Sequence, residues 1–263
     1  MQIVSISSLK GGVGKSSVTL GLASAALEAG IPSLVIDLDP HADASTALGV
    51  HAQPSRDIGS LLRKPKKGAV SKITVQSSWT EHPITPESYP RTTLDVAPGS
   101  AASSHLDRSG FTVKDLKRLE TVIQGVDKYE LVLIDCPPSL TALTRMAWAA
   151  SHKVLSVAEP SLFSVAGTKR TMTALAQFEG SKLWAVPAAG VIVNRARDDF
   201  SEHAHRISEL HELFGELLVQ PTLPDAPVMQ QVQGAAWPVH RWPGEQAAVL
   251  AERFSTILTG LLK

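Results

Sequence analysis

Residues 7–17 read SSLKGGVGKSS, and this stretch decides the fold. Residues 2–8 before it have the composition of a strand, and residues 15–29 after it have the apolar spacing of an amphipathic helix. Glycines at such a turn let successive backbone N–H groups point inward around an anion, and the positive end of the following helix favours negative charge. The sequence therefore predicts a phosphate-binding loop.

Each position of this loop has an expected task. Gly11, Gly12 and Gly14 would wrap the phosphates without Cβ clashes. Lys15 would reach the β- and γ-phosphates, and the hydroxyl of Ser16 would ligate Mg²⁺. The predicted cofactors are therefore ATP and Mg²⁺.

A second lysine, Lys10, lies five residues before Lys15, and Leu9 stands where an ordinary P-loop has glycine. This is the deviant Walker A form KGGxGK[ST][ST], in which the chain resembles the ParA/MinD family of P-loop ATPases. The resemblance implies a homodimer in the ATP-bound state, with Lys10 crossing the interface to the nucleotide of the other subunit. The ATP-binding residues that it implies are Lys10, Gly11, Gly12, Val13, Gly14, Lys15, Ser16, Ser17, Asn194 and Pro224.

Strand-like and helix-like segments alternate along nearly the whole chain. This pattern predicts a doubly wound α/β fold, a mostly parallel sheet with helices on both faces, whose ligands bind at the carboxyl ends of the strands. We expect one domain over residues 1–263, with an irregular excursion at about 51–93. The predicted strands are 3–7, 33–39, 94–98, 131–135, 153–158 and 188–194, and the predicted helices are 15–29, 112–124, 140–150, 164–179, 202–214 and 245–262.

Two aspartates end the second predicted strand, residues 33–39, within the stretch LVIDLDPHADAST at residues 34–46. Asp37 and Asp39 would face the same side of an extended strand. The family resemblance implies that Asp39 positions the attacking water and lies near the metal, while Asp37 supports the loop or the metal shell. We expect Asp43 to cap the segment that follows.

Another strand, in YELVLIDCPPSL at residues 129–140, ends in Asp135. It resembles the Walker B strand of the same family, whose carboxylate holds Mg²⁺ through water. The implied metal ligands are Ser16, Asp39 and Asp135. Cys136, the single cysteine, is expected to be a buried packing residue.

The second half resembles the family less closely. Asn194, in GVIVNRARDD, and Pro224, in VQPTLPDAPVMQQV, match positions that contact adenine in family members. Asp225 replaces the arginine that usually follows that proline.

Composition excludes several function classes. Lys plus Arg and Asp plus Glu number 25 each, so no overall field draws the chain to nucleic acid or acidic lipid. One cysteine does not suffice for the shared iron–sulfur cluster of nitrogenase-type iron proteins, and two tyrosines do not form the tail of bacterial tyrosine kinases. The absence of a basic-plus-apolar leader pattern and of a long apolar run favours a cytoplasmic protein.

The family resemblance implies a ParA-like ATPase that acts in segregation or intracellular positioning, with nonspecific DNA as its surface, a nucleoid association and an activating partner protein of unknown identity. A DNA footprint could be assembled from arginines of the second half, and the basic cluster at 63–72 is a further candidate. The alternatives are a MinD-like membrane-associated ATPase and a P-loop small-molecule ligase. The last helix carries few cations, which disfavours the membrane reading. The arginines of the candidate DNA footprint are Arg195, Arg197, Arg206 and Arg241.

Overall fold

The computed structural model describes residues 1–81, 92–106, 111–181, 184 and 186–263. These residues contain eight strands and ten α-helices, and β5 to β8 alternate with helices. The strands are β1 (Gln2–Ser7), β2 (Ser33–Asp37), β3 (Val75–Gln76), β4 (Leu94–Ala97), β5 (Leu131–Asp135), β6 (Lys153–Ala158), β7 (Ala188–Val193) and β8 (Leu218–Val219). The helices are α1 (Lys15–Glu28), α2 (Asp43–Ala47), α3 (Ile58–Arg63), α4 (Val113–Leu116), α5 (Arg118–Ile123), α6 (Ala142–Ala150), α7 (Leu162–Glu179), α8 (Ser201–Phe214), α9 (Val228–Gly234) and α10 (Glu245–Leu261).

The strands form one sheet in the order β3-β4-β2-β5-β1-β6-β7-β8. All neighbouring pairs are parallel except β3 with β4, which confirms the predicted doubly wound fold. The chain leaves β1 toward β2 on one side, and β6 and β7 extend the sheet on the other, so β1 lies where the strand order reverses. Ligands of such sheets bind beside this point, at the carboxyl ends of the strands.

Helices cover both faces because side chains of the central strands alternate in direction. In β5, Leu131 and Leu133 are buried in the core formed with α1, α9 and α10, whereas Val132 and Ile134 face the core formed with α3, α5 and α6. This strict period of two, with both sets buried, is the signature of a parallel strand covered on both sides.

The structure differs from the sequence prediction mainly in short elements. The helix predicted at 112–124 is divided into α4 and α5 at Lys117, whose φ and ψ are −81° and 0°. The elements that the prediction did not contain are too short to display a hydrophobic period. They are α2, α3, β3, β8 and α9.

The stretch predicted as irregular, 51–93, contains α3 and the edge strand β3, and its residues 82–91 lie outside the described part of the chain. Trp79 is fully buried, and its indole N–H donates a hydrogen bond of 3.0 Å to the carbonyl of Ala47. The hydroxyl of Ser77 donates to the carbonyl of Leu48 at 2.8 Å. These contacts attach the segment to the end of α2. That the chain forms a single domain over residues 1–263 stays a prediction.

Helices α1 and α10 pack closely at Gly21. A Cβ atom at this position would overlap the ring of Phe254, which is itself buried. The absence of a side chain at Gly21 therefore lets the ring lie directly on the backbone of α1.

Among the described residues, no helix combines the length and hydropathy needed to cross a bilayer.

We predict that Gly21→Ala lowers the free energy of unfolding by about 1–3 kcal/mol, because an extra methyl group in a packed core forces neighbours to shift. Adding Phe254→Leu should recover part of this loss. Gly260→Ala is the matched control, since an added Cβ meets no atom within 4 Å there. Urea denaturation measures all three; equal stability of Gly21→Ala and the parent chain would contradict the packing account.

Candidate phosphate-binding site

The loop between β1 and α1 has the backbone that an anion cradle needs. Gly12 and Gly14 have φ values of 81° and 88°, in the left-handed region that glycine adopts without strain. Gly14 is also the N-cap of α1, and its lack of a side chain leaves the first-turn N–H groups uncapped. These N–H groups have no intrahelical acceptor, so they are available to a bound anion.

A cavity of about 520 Å³ opens in front of this loop. It is lined by loop residues, by the segment after β2 and by Pro138 and Arg195. The cavity thus lies at the carboxyl ends of β1, β2, β5 and β7, where the fold predicts a ligand. The loop residues that line it are Gly11, Gly12, Gly14, Lys15, Ser16 and Ser17.

Asp135 ties the loop to the central sheet. Its carboxylate accepts hydrogen bonds from the hydroxyls of Ser16, at 2.7 Å, and Thr19, at 3.1 Å. Burial raises the pKa of Asp135 above its usual range, and the neighbouring hydroxyls and Lys15 act in the opposite direction. Lys15 lines the cavity and is itself buried, at 7% exposure, and its charge is close enough to favour the ionised form of Asp135.

Asp37 and Asp39 have separate positions, because β2 ends at Asp37. Asp37 is fully buried and accepts hydrogen bonds from the N–H and hydroxyl of Ser45 and from the N–H of Asp39. Asp39 lines the cavity and accepts a 3.0 Å hydrogen bond from the N–H of His41. The expectation that both aspartates face one side of a strand is wrong, since Asp39 belongs to the loop that Asp37 braces.

Burial is the main cause that raises the pKa of Asp37 to about 7, and the carboxylate of Asp135 adds to it. Strand register places the two residues opposite each other on β2 and β5.

The predicted cap at Asp43 is also wrong. Ala42 is the N-cap of α2, without a side-chain hydrogen bond, and Asp43 lies in the first turn of α2 and lines the cavity. A left-handed φ of 57° at Ala42 turns the chain so that α2 begins at Asp43, one residue earlier than a cap at Asp43 would require.

Lys10 lies on the rim of the loop and contacts a carboxylate of its own chain. Its Nζ is 3.5 Å from Oε2 of Glu159 and 3.4 Å from Oγ of Ser161. The other oxygen of Glu159 accepts a 2.8 Å hydrogen bond from Nη1 of Arg195. Arg195, in a left-handed conformation with φ 60°, also donates to the carbonyl of Gly12 at 2.9 Å. One carboxylate therefore holds two cations beside the phosphate loop.

A second cavity, of about 300 Å³, adjoins the first. Asn194 and Pro224 both line it, and the amide of Asn194 donates to the carbonyl of Val13 at 2.9 Å. Gln233 lines both cavities and donates to the hydroxyl of Ser17 at 2.8 Å. The fold thus brings residues of the second half to the phosphate loop, although their predicted adenine contacts stay a prediction.

Sequence reasoning missed four residues of the site. Thr19 lies one helical turn after Lys15, a spacing that could have indicated it. Glu159 follows the end of an apolar strand, much as Asp135 ends one, and this position could have indicated that it belongs to the site. Arg195 was considered only as part of a DNA footprint, and Gln233 gave no signal in the sequence.

A protein-family model described as an AAA domain matches residues 1–183, more than half of the chain. The chromosome partitioning protein ParA of Caulobacter vibrioides is 28% identical over 230 residues, which are 85% of this chain and 80% of that protein. Among solved structures, an ATP complex of a McdA variant from Cyanothece has a TM-score of 0.80 at 18% identity, covering 99% of this chain and 96% of that one. Cobyrinic acid a,c-diamide synthase from Mycobacterium smegmatis, with a bound ATP analogue and magnesium, has a TM-score of 0.70 at 18% identity, covering 90% and 93%. At these identities the two structures are similar to the chain in fold.

The buried aspartates predict a pH dependence of stability. Because the folded-state pKa values of Asp37 and Asp135 are raised, the folded chain keeps protons that the unfolded chain has lost, so stability falls as pH rises through about 7. We expect the parent chain to gain about 1 kcal/mol more than Asp37→Asn when pH falls from about 8 to about 6.5 in EDTA. Urea denaturation at both pH values measures the difference.

Two comparisons keep this prediction specific. Burial lowers the pKa of His240 to about 4, which acts in the opposite direction but equally in both proteins. Asp43→Asn, which removes an exposed carboxylate from the first turn of α2, should leave the pH response unchanged. An identical response of Asp37→Asn and the parent chain would show that the buried pair does not titrate in this range.

Proposed function

The chain belongs to the AAA domain family, among the ParA/MinD P-loop ATPases, and from this premise we propose that it binds ATP with Mg²⁺, pairs with a second ATP-loaded copy and separates after hydrolysis. The observation that carries this proposal is the arrangement around Lys15. The buried Lys15, the uncapped N-terminus of α1 and Ser16 all line one cavity, and the hydroxyl of Ser16 is hydrogen bonded to the carboxylate of Asp135. Each of these groups suits a different part of a magnesium–triphosphate.

The donor set fits magnesium. Mg²⁺ binds through one or two protein oxygens together with phosphate oxygens and water, and Ser16 and Asp135 offer a hydroxyl and a carboxylate 2.7 Å apart. Among the described residues, no group of three His, Cys, Asp or Glu side chains could hold a metal without such help. Bound there, the ion would neutralise phosphate charge. Asp135 would lose its raised pKa beside it, because a cation favours the ionised carboxylate.

The two adjoining cavities suit the two ends of ATP. The phosphates would lie in the 520 Å³ cavity, with Lys15 on the β- and γ-phosphates. The base would lie in the 300 Å³ cavity between Pro224 and Asn194. Ser17 and Gln233, hydrogen bonded to each other, line both cavities.

Hydrolysis requires a water aligned with the γ-phosphate, and Asp39 is the carboxylate that we assign to this task. It lines the phosphate cavity, and its loop is held by bonds from Ser45 to the buried Asp37. A carboxylate on such a braced loop can orient a water without moving itself. The triphosphate state would therefore persist until Asp39 and a water align, which a partner protein could accelerate.

Pairing with a second copy is where Lys10 enters. In the single chain, Glu159 and Ser161 hold its ammonium group, and its side chain is 28% exposed. The γ-phosphate of a facing copy carries more charge than one carboxylate shared with Arg195, so it can draw Lys10 away. We therefore assign to Glu159 the role of holding Lys10 until the partner's ATP arrives.

Membrane association and ligase chemistry are the alternatives. The apolar face of α10 is buried against α1 through residues such as Leu250, Phe254 and Ile257, so little of it is left for a bilayer. A ligase would turn over ATP only with a second substrate. Steady ATP hydrolysis by the chain alone or with a protein activator therefore separates the ATPase from the ligase.

We predict that Lys15→Ala weakens ATP binding about 10- to 100-fold, because it removes a charge-assisted contact with the phosphates. Lys10→Ala should leave binding by the single subunit intact but abolish the ATP-dependent dimer in light scattering. Lys263→Ala, which removes an exposed lysine after α10, is the control for charge alone. A normal ATP-dependent dimer of Lys10→Ala would contradict the bridging role.

We predict that Asp39→Ala lowers ATP hydrolysis at least about 100-fold, since the attacking water loses its orienting carboxylate. ATP binding and dimerisation should remain, so the variant accumulates as an ATP-loaded dimer in size-exclusion chromatography. Asp127→Asn, at an exposed site outside both cavities, should hydrolyse ATP normally. Unchanged turnover by Asp39→Ala would exclude it from the reaction.

A further inference from the structure

The 300 Å³ cavity beside the phosphate loop is lined by both apolar and polar side chains. The apolar ones include Met229, Leu250 and Phe254, and the last two belong to α10 and are buried. The polar ones include Asn194 and Asp225. A nucleobase, which has apolar faces and hydrogen-bonding groups along its edge, is suited to a cavity with this lining.

The backbone that carries Asp225 is held beside the end of β7. The N–H of Asp225 donates to the carbonyl of Ala196 at 2.9 Å, and the N–H of Ala196 donates to the carbonyl of Leu223 at 2.9 Å. The N–H of Leu223 donates to the carbonyl of Val193, the last residue of β7, at 2.8 Å. This segment therefore runs parallel to the chain that leaves β7. A ligand of Asp225 would meet a backbone fixed by hydrogen bonds, which limits the entropy lost on binding.

The carboxylate of Asp225 is exposed and is not paired with a cation. Within the described part of the chain it forms no ion pair. Arg197, in the segment after β7, is paired with Asp199 at 3.1 Å instead. An aspartate carboxylate has two acceptor oxygens and no donor. The cavity therefore offers a ligand an acceptor pair.

Arg195 lines the same cavity and supplies donors. Its hydrogen bonds to the carbonyl of Gly12 and to Glu159 are both made by Nη1. Among the described residues, neither Nε nor Nη2 of Arg195 donates a hydrogen bond, so both are available to a ligand. The lining thus contains one group that only accepts hydrogen bonds and one that only donates them.

These two groups suit the edge of guanine at least as well as that of adenine. Guanine has adjacent N–H donors on N1 and on its 2-amino group, which the two oxygens of one carboxylate can accept together, and it has an acceptor at O6. Adenine has one amino group, beside the acceptor N1, so the same carboxylate accepts only one hydrogen bond from it. A carboxylate in this cavity therefore gains more contacts from guanine.

We infer that the base cavity binds guanine as well as adenine, and that Asp225 is the residue that admits guanine, so that the chain binds and hydrolyses GTP besides ATP. This inference rests on the proposed nucleotide site. The family resemblance places an arginine at the position of Asp225. Because arginine only donates hydrogen bonds and aspartate only accepts them, the base preference of family members does not carry over to this chain.

The reaction on GTP is the one proposed for ATP. The oxygen of a water forms a bond to the γ-phosphorus, and the bond from that phosphorus to the β–γ bridging oxygen breaks. GTP and water thus give GDP, inorganic phosphate and a proton. Lys15, Ser16 and Asp39 act on the triphosphate, the metal and the water, so the change of base requires no further group.

The first test measures the binding of ATP, GTP and ITP to the parent chain with Mg²⁺ by isothermal titration calorimetry. GTP should bind within about 10-fold of ATP or more tightly. ITP lacks the 2-amino group of guanine and should bind at least about 10-fold more weakly than GTP, because a hydrogen bond to a charged group is lost.

Two results of this titration would overturn the inference while the proposed function stands. One is ATP binding with GTP more than about 10-fold weaker, and the other is equal affinity for GTP and ITP. Binding of none of the three nucleotides would refute the proposed function itself.

The second test uses Asp225→Ala. Its GTP affinity should fall at least about 10-fold more than its ATP affinity, since guanine loses two contacts and adenine one, and GTP and ITP should bind equally. The KM for GTP hydrolysis should rise while kcat stays unchanged, because the base contacts are the same before and during the reaction. Equal losses of ATP and GTP affinity would show that Asp225 supports the cavity rather than reading the base.

The control is Asp198→Ala, which removes an exposed carboxylate from the segment after β7 that lines neither cavity. It should leave the ratio of GTP to ATP affinity unchanged. A change as large as that of Asp225→Ala would overturn the assignment, because it would reflect charge alone.

Asp225→Asn gives a reversal that a purely structural role would not produce. XTP has a carbonyl on C2 where GTP has the amino group, so the carboxylate of the parent chain should reject it, whereas the amide of the variant can donate to it. The parent should prefer GTP to XTP, and the variant XTP to GTP, each by about 10-fold. An unchanged preference in the variant would contradict the role of Asp225.

Discussion

The hydrogen bonds from Ser16 and Thr19 to Asp135 are the interaction on which the site depends. They join the first turns of α1 to the carboxyl end of a central strand, so the phosphate loop cannot move independently of the sheet. The same carboxylate lies opposite Asp37, which braces the loop that carries Asp39. The buried carboxylate of Asp135 thus connects the phosphate loop, the hydroxyl–carboxylate pair that would bind the metal, and the loop that would position the water. Its raised pKa reflects the cost of that burial, which a bound cation would offset.

A second shared carboxylate organises the rim. Glu159 bonds to both Lys10 and Arg195, and Arg195 holds the carbonyl of Gly12. These partners are about 20% to 47% exposed, so solvent screens the attraction and keeps it modest. A weak, local pair is suited to a group that must exchange partners, whereas the buried bonds of Asp135 are suited to a fixed frame. In the proposed dimer, this contrast would let Lys15 stay with the nucleotide of its own subunit while Lys10 moves to that of the other.

The sequence predicted the parts of the site whose residues lie in local motifs at the ends of predicted strands. The glycines and Lys15 lie at a strand-to-helix turn, and Asp135 ends an apolar strand, so their meeting at one edge of the sheet follows from the parallel topology. The pairing of Lys10 with Glu159 could not be predicted, because 149 residues separate them and Glu159 belongs to no spacing motif. The pairing of Arg195 with Glu159 was invisible for the same reason. By contrast, Arg206 lies four residues after Glu202 and three before Glu209 on a predicted helix, a spacing that indicates its two ion pairs. The end of β2 at Asp37 was missed because alternation alone does not mark where a strand stops.

The most direct test of the account is a crystal structure of Asp39→Ala with ATP and Mg²⁺. The account predicts two copies facing each other, with Nζ of Lys10 from one copy about 3 Å from a phosphate oxygen of the nucleotide held by the other. Glu159 would then retain only Arg195. A structure in which each Lys10 still contacts Glu159 of its own chain while ATP is bound would contradict it.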